Sequence, residues 1–263
     1  MMGRLWRAWP AVFRIAMAGM VAYRAEMVIW VLSATLPMVM LALWNAASAA
    51  GPLAGLSQGD FSRYFAVTLI VRQLTGSWIV WELNYTIRQG ELSAKLLRPL
   101  NPLVWNLAET AAAMPFRIAV LAPILFGLWR WRPEVAFWPG FGVACSFVLS
   151  VILAFIASWT IQALFGMLAF WFEQSMGFFQ AYFVVWSVLS GYVVPLPMMP
   201  AWLTDVARLL PFYATLGAPI DIAMGIAEPL PAIASQAAWV LALLAVAVAT
   251  WRAGIRRYGA VGA

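Results

Sequence analysis

Any chemistry in this chain must be done with sixteen basic residues, ten acidic residues, one cysteine and no histidine. The lack of histidine removes Ser-His-Asp and Cys-His nucleophilic sites and every imidazole metal site. Cys145 is the single thiol and lies in an apolar run, so neither an internal disulfide nor a thiolate metal cluster can form. Lys95 is the only lysine and is followed by Leu96, so no G-x-x-x-x-G-K-[ST] loop is present to cradle a nucleotide. We therefore expect no catalytic residue, no metal site and no cofactor in this chain. The basic surplus is scattered between apolar segments, not massed in one patch, which argues against nucleic acid.

What remains are charges in costly places. Arg72 and Arg117 lie in otherwise apolar runs, where a cation costs ~2.5–3.5 kcal/mol or more unless it is paired or wetted. For Arg72 we expect a face at a subunit interface, in contact with an anionic lipid-like cargo or an acidic partner residue. Arg117 is expected to snorkel to the inner headgroups. Glu82 is about 15 Å along a helix from Arg72, too far to pair with it. It is placed instead near Glu109, across from it on the next span. The tryptophans read mainly as interface anchors.

The most polar stretch is Asn84 to Pro102. Gly90 can end the helix that precedes it, and Glu91 to Leu97 then reads as a short helix stopped by Pro99. Glu91 and Lys95 form an i,i+4 pair on its wet face, while Leu92 and Leu96 share another face, with Arg98 flanking. Two readings stay open: a solvated interfacial hairpin, or a docking helix for a groove on a cytoplasmic partner.

The elements that must position these residues follow from composition. Hydrophobic residues make up 65% of the 263, and only 10% are charged, against about one-quarter in soluble domains. The chain is an all-α polytopic membrane protein, one transmembrane domain over residues 1–263 with room for about six spans of ~20 residues. Residues 1–24, with Arg4, Arg7 and Arg14 within one arc, read as an amphipathic helix lying on the inner leaflet. A signal peptide is disfavoured because Arg14 and Arg24 interrupt any apolar core of proper length. Apolar runs then cover about 25–47, 61–83, 103–129, 140–195 and 232–251. The fourth of these is divided in two by a turn near Phe172 to Ser175. Residues 195–231 hold too many prolines for a span and are too apolar for a free loop. Trp202, Leu203, Val206 and Leu210 recur there at helical spacing with Asp205 and Arg208 facing elsewhere, and Pro219 can start a second short helix. We expect short helices dipping into the outer leaflet, with a surface flap as the alternative.

Ten arginines and lysines gather beside the termini and the 84–102 loop, and four on the other side. That bias puts both termini and the loop in the cytoplasm.

Ile87 to Pro99 reads Ile-Arg-x-Gly-Glu-Leu-x-x-x-Leu-Leu-Arg-Pro, and Ser190 to Phe212 reads Ser-Gly-Tyr-x-x-Pro followed by Pro-x-Trp-Leu and Leu-Pro-Phe. With YRAEMVIW at the entry to the first span and FWFE at 170–173, nearly the whole chain resembles the permease subunit of a bacterial type-2 ABC exporter. The resemblance implies a dimer of permeases, identical or homologous, seated on two copies of an ATP-binding subunit that carries the ATP and Mg²⁺ in the bacterial inner membrane. Gly90, Glu91, Leu92, Lys95, Leu96, Leu97 and Arg98 would be the coupling helix. Residues 1–24 would be a connecting or gate helix. Tyr192, Pro195, Trp202, Pro211 and Phe212 would belong to an extracellular lid, and Arg72 and Arg117 to the translocation path or the dimer interface. The cargo stays unidentified, amphipathic or lipid-like. A secondary transporter and a non-transporting membrane scaffold are the competing functions; the first is disfavoured by the lack of carboxylates at mid-depth.

Overall fold

Ser57 opens the helix over Gln58–Thr75 by a reciprocal cap: its side chain accepts from the Asp60 amide at 3.3 Å, and the Asp60 carboxylate accepts from the Ser57 amide at 3.0 Å. A computed structural model describes residues 36–137 and 139–261, together with residues 14 and 18. The interfacial helix expected over residues 1–24 and the start of the first span fall almost wholly outside the described residues.

Among the described residues the fold is all-helical. In chain order the α-helices are α1 (Leu36–Ala47), α2 (Gln58–Thr75), α3 (Ile79–Arg88), α4 (Leu92–Leu96), α5 (Pro102–Ala112), α6 (Met114–Trp131), α7 (Phe141–Met167), α8 (Met176–Leu189), α9 (Ala201–Leu209), α10 (Ala218–Ala223) and α11 (Pro229–Val261). Among the described residues three stretches are long and apolar enough to cross a membrane: Pro102–Trp131, Phe141–Phe170 and Pro229–Tyr258.

The run expected as one span over 61–83 is two helices. Gly76 leaves α2 in an extended conformation (φ −64°, ψ 139°), and α3 restarts at Ile79, whose amide is taken up by the Ser77 hydroxyl at 3.3 Å. The apolar periodicity continues across the break, but a Gly-Ser pair is where helices bend most readily. The run expected to continue to Pro195 stops at Leu189, because Gly191 takes a left-handed φ of +84°. The division near 172–175 is present as a turn between Trp171 and Ser175. The last helix is longer than expected. It stays helical for ten residues past Trp251, with Arg252, Arg256 and Arg257 exposed along it.

α2 is the centre of the structure, packed by α1, α6, α7 and the segment following α8. α7 and α11 form the most extensive helix pair, clamped by the buried Gln236, which donates to the carbonyls of Ser150 (3.2 Å) and Ala214 (2.8 Å) and accepts from the Ser150 hydroxyl (2.7 Å). Gly166 lets α7 approach α3 closely; a Cβ there would lie 2.9 Å from the Leu83 Cβ and 3.1 Å from the Val80 carbonyl. At one end of the molecule α4, the 171–175 turn and the end of α11 gather. At the other, Arg63 donates to the Glu134 carbonyl (2.9 Å), Trp44 to that of Val193 (3.0 Å) and Tyr64 to that of Gly191 (2.8 Å).

Candidate functional site

The break in α2–α3 sets the geometry of the first candidate region. A helix end at mid-depth leaves carbonyls with no intrahelical partner and no water to replace one. Arg117, 8% exposed and halfway along Pro102–Trp131, answers this: its Nη1 donates to the carbonyls of Gln73 (3.2 Å) and Gly76 (2.5 Å). Snorkelling is thus overturned. The guanidinium turns inward because the broken helix offers two acceptors nearer than the headgroups, and the negative end of the α2 dipole favours a cation there. Arg72, in the last turn of α2, shares that dipole. Its guanidinium carbon sits 5.1 Å from the Trp186 ring centroid, 5.8 Å from Tyr192 and 6.0 Å from Phe183. Arg72 therefore faces aromatic rings of its own chain. Among the described residues no carboxylate lies within 4.0 Å of either guanidinium.

Both arginines line a cavity of about 500 Å³ between α2, α3, α6, α7 and α8. One wall is aromatic, with Trp78, Trp81, Phe179 and Phe183. The opposite wall carries Ser158 and Gln162, four apart on one face of α7. Among the described residues no acidic side chain lines it. Gln162 is 8% exposed and its amide oxygen has no hydrogen-bond partner. Gln162 was legible in the sequence as a polar residue inside an apolar run. Trp186 was not, because its role depends on α8 folding back beside α2.

The second region is α4. Gly90 takes φ +76° just past the end of α3, the residue type that position requires. Its carbonyl accepts from the Tyr258 hydroxyl at 2.9 Å, and Ser93 lies 3.1 Å from the same hydroxyl, so the loop is tied to the end of α11. The expected Glu91–Lys95 pair is absent. Lys95 bridges instead to Glu82 at 2.8 Å and reaches the Thr86 hydroxyl at 3.3 Å, since α4 folds back along α3 and brings a less exposed carboxylate within range. Glu82 also accepts from Asn106, while Glu109 accepts from the Trp105 indole at 2.6 Å, so the cross-span contact runs through Asn106 and not through Glu109. Leu92 and Leu96 do not share a fate. Leu92 is fully buried in a cluster with Ile79, Leu83, Met167 and Trp251, whereas Leu96 is 38% exposed and Leu97 89%. Glu91 and Arg98 are exposed.

The third region is residues 190–228. Tyr192 is buried beneath it, its ring tilted against that of Trp186 (centroids 5.1 Å apart) beside Arg72, and Pro195 is buried. Phe212 contacts Tyr182 (5.7 Å), and Pro211 is half-buried at the end of α9. The expected helices are present as α9 and α10, joined by a π-helical turn at Tyr213–Gly217. Trp202, Val206 and Leu209 point away from the chain, while Arg208 turns toward the fully buried Asp221 at 3.3 Å, with Tyr213 donating to the same oxygen at 3.1 Å. The Trp186 indole donates to the Thr215 hydroxyl at 2.8 Å, joining this segment to the ring that holds Arg72.

The family model described as ABC-2 family transporter protein matches residues 20–262 of this chain. Comparison with curated proteins and with solved structures gives no significant match.

Proposed function

We propose, on the premise that this chain belongs to the ABC-2 transporter family and is a membrane permease of an ABC-type transport system, that it is the membrane-spanning subunit of an ATP-driven exporter. In this reading the chain hydrolyses no ATP itself. Two copies of a separate ATP-binding subunit hold ATP and Mg²⁺, and two permeases, identical or homologous, enclose the path. Six spans leave both termini and α4 in the cytoplasm of a bacterial inner membrane, and residues 195–231 form the outer lid.

The observation that carries the coupling role is the division of labour between α4 and the residue that caps it: Leu92 is fully buried in the chain's own core while Leu97, five residues on, is 89% exposed. A segment anchored at one end and apolar at its exposed end suits insertion into a groove on a soluble partner. Force applied there passes through Leu92 and the Lys95–Glu82 bridge to α3, and through Tyr258 to α11. The Gly76–Trp78 break lets α3 tilt against α2 without tearing a continuous helix, which would reshape the cavity beside it. A break at mid-depth also suits an ion-driven secondary transporter. There the break would present carboxylates to a cation, whereas here it presents two guanidiniums.

The test is co-expression of the full chain with the ATP-binding cassette subunits of the same genome. One of them is expected to co-purify with it and hydrolyse ATP, and the permease alone to be inactive. Vanadate-sensitive hydrolysis by the pure single chain, or failure of all of them to associate, overturns the reading.

A further inference from the structure

We propose that the cavity beside the Gly76–Trp78 break binds an amphipath whose headgroup combines an oxyanion with a neighbouring hydroxyl, Arg72 pairing with the anion and Gln162 accepting from the hydroxyl. The proposal names the cargo class of the exporter and rests on that reading only in calling the ligand cargo.

Four observations converge. First, the cavity reaches mid-depth: Arg117 is halfway along its span and Ser158 lies near the middle of Phe141–Phe170, with Gln162 one turn further on. A ligand there is surrounded by hydrocarbon, so its polar part must be matched by the protein. Second, among the described residues the lining carries two cations and no acid. Arg117 is occupied with the Gln73 and Gly76 carbonyls, which leaves Arg72, held against the faces of aromatic rings and hydrogen-bonded to the Tyr192 hydroxyl, with most of its five N–H donors still available to a ligand. Ring faces orient a guanidinium but satisfy its N–H groups poorly, and a planar fork of donors suits an oxyanion. Third, Gln162 is buried with an unpartnered acceptor oxygen, which an anion cannot satisfy and a hydroxyl can. Fourth, the mouth runs past exposed aromatic and aliphatic side chains, Trp78, Trp81, Phe183 and Val184. An acyl chain can lie along these while the headgroup enters. About 500 Å³ is room for a headgroup and the first part of a chain, not for a whole two-chain lipid.

Native mass spectrometry of the full chain in a mild detergent reads the binding directly, without ATP hydrolysis or transport. The probes are dioleoyl phosphatidylglycerol, dioleoyl phosphatidylcholine and water-soluble glycerol phosphate. Phosphatidylglycerol should be retained about tenfold more strongly than phosphatidylcholine, the worth of one charge-assisted contact. Arg72→Gln should abolish the preference, Arg72→Lys should keep part of it, and Gln162→Leu should lower retention of phosphatidylglycerol a few-fold. Arg88→Gln, an exposed arginine away from the cavity, should leave the preference intact. Gln180→Glu places an acid at the exposed mouth and should weaken phosphatidylglycerol retention even if Arg72→Gln does not fold. Equal retention of the two lipids, an unchanged preference in Arg72→Gln or Gln180→Glu, or an equal loss in Arg88→Gln overturns the proposal; the last would mark a bulk lipid effect. Displacement by millimolar glycerol phosphate overturns the amphipath and leaves a free oxyanion. A chain that selects phosphatidylglycerol but recruits no ATP-binding subunit sinks the exporter reading and keeps the cavity. A working complex without headgroup selectivity does the reverse.

Discussion

Leu96 and Leu97 are adjacent leucines with unequal exposure, and that inequality makes the docking role of α4 quantitative. Truncation to alanine removes three carbons, worth about 2.4 kcal/mol at ~0.8 kcal/mol per buried carbon if a partner groove covers what is now exposed. Scaled by the exposed fractions of 89% and 38%, Leu97→Ala should cost about 2 kcal/mol of partner binding and Leu96→Ala about 0.9 kcal/mol. These convert to losses in affinity of roughly 30-fold and fivefold. Leu92→Ala is the contrasting case: at 0% exposure it has nothing to give a partner, and its loss of ~2–5 kcal/mol should appear as lowered stability of the permease itself. The assay is titration of the purified ATP-binding subunit onto permease in lipid nanodiscs, with thermal stability of each variant measured in parallel. The expected order is Leu97 above Leu96 in binding loss, both at wild-type permease stability. If Leu97→Ala binds as wild type, or Leu96→Ala is the more damaging of the two, the loop is a solvated hairpin and the coupling role fails.

Three further outcomes follow from named contacts. Removing Arg117 as Arg117→Leu recovers ~2.5–3.5 kcal/mol of buried-cation cost but strips two carbonyls at ~1–3 kcal/mol each. We therefore expect a modest net destabilisation of about 1 kcal/mol in thermal-retention assays, and full retention of wild-type stability by Arg117→Lys would show that the forked donor is unnecessary. Gly166→Val should lower stability by about 1–3 kcal/mol, since the added Cβ meets the Val80 backbone at 3.1 Å and α3 must shift; a Tm equal to wild type would show that α3 and α7 separate freely. For orientation, Asp205 and Ala94 are both exposed, whereas Thr204 is buried and donates to the Leu196 carbonyl at 3.0 Å. In a Cys145→Ser background, Asp205→Cys should react with an impermeant thiol reagent in intact cells and Ala94→Cys should not; the opposite pattern inverts the topology.

Composition alone was enough to place the chain in a membrane, because 65% hydrophobic residues cannot be hidden from water in any fold of this size. Local signals carried equally well: Gly90 ends α3, Pro99 follows α4, and the Trp202–Val206 spacing produces α9. These are decided within a few residues of backbone, where glycine, proline and periodicity act directly. Partner choice was not legible. Lys95 takes Glu82 over Glu91, Arg117 takes two carbonyls over the headgroups, and Leu92 parts from Leu96 although all obey the expected helical spacing. Periodicity gives a side chain's angle on its helix but not what stands opposite, and what stands opposite the two cations is 13 to 44 residues away in the chain. The break at Gly76 shows the same limit from the other side. A Gly-Ser pair permits it, but only Arg117, arriving from another helix, supplies the donors without which bare carbonyls at that depth would not persist.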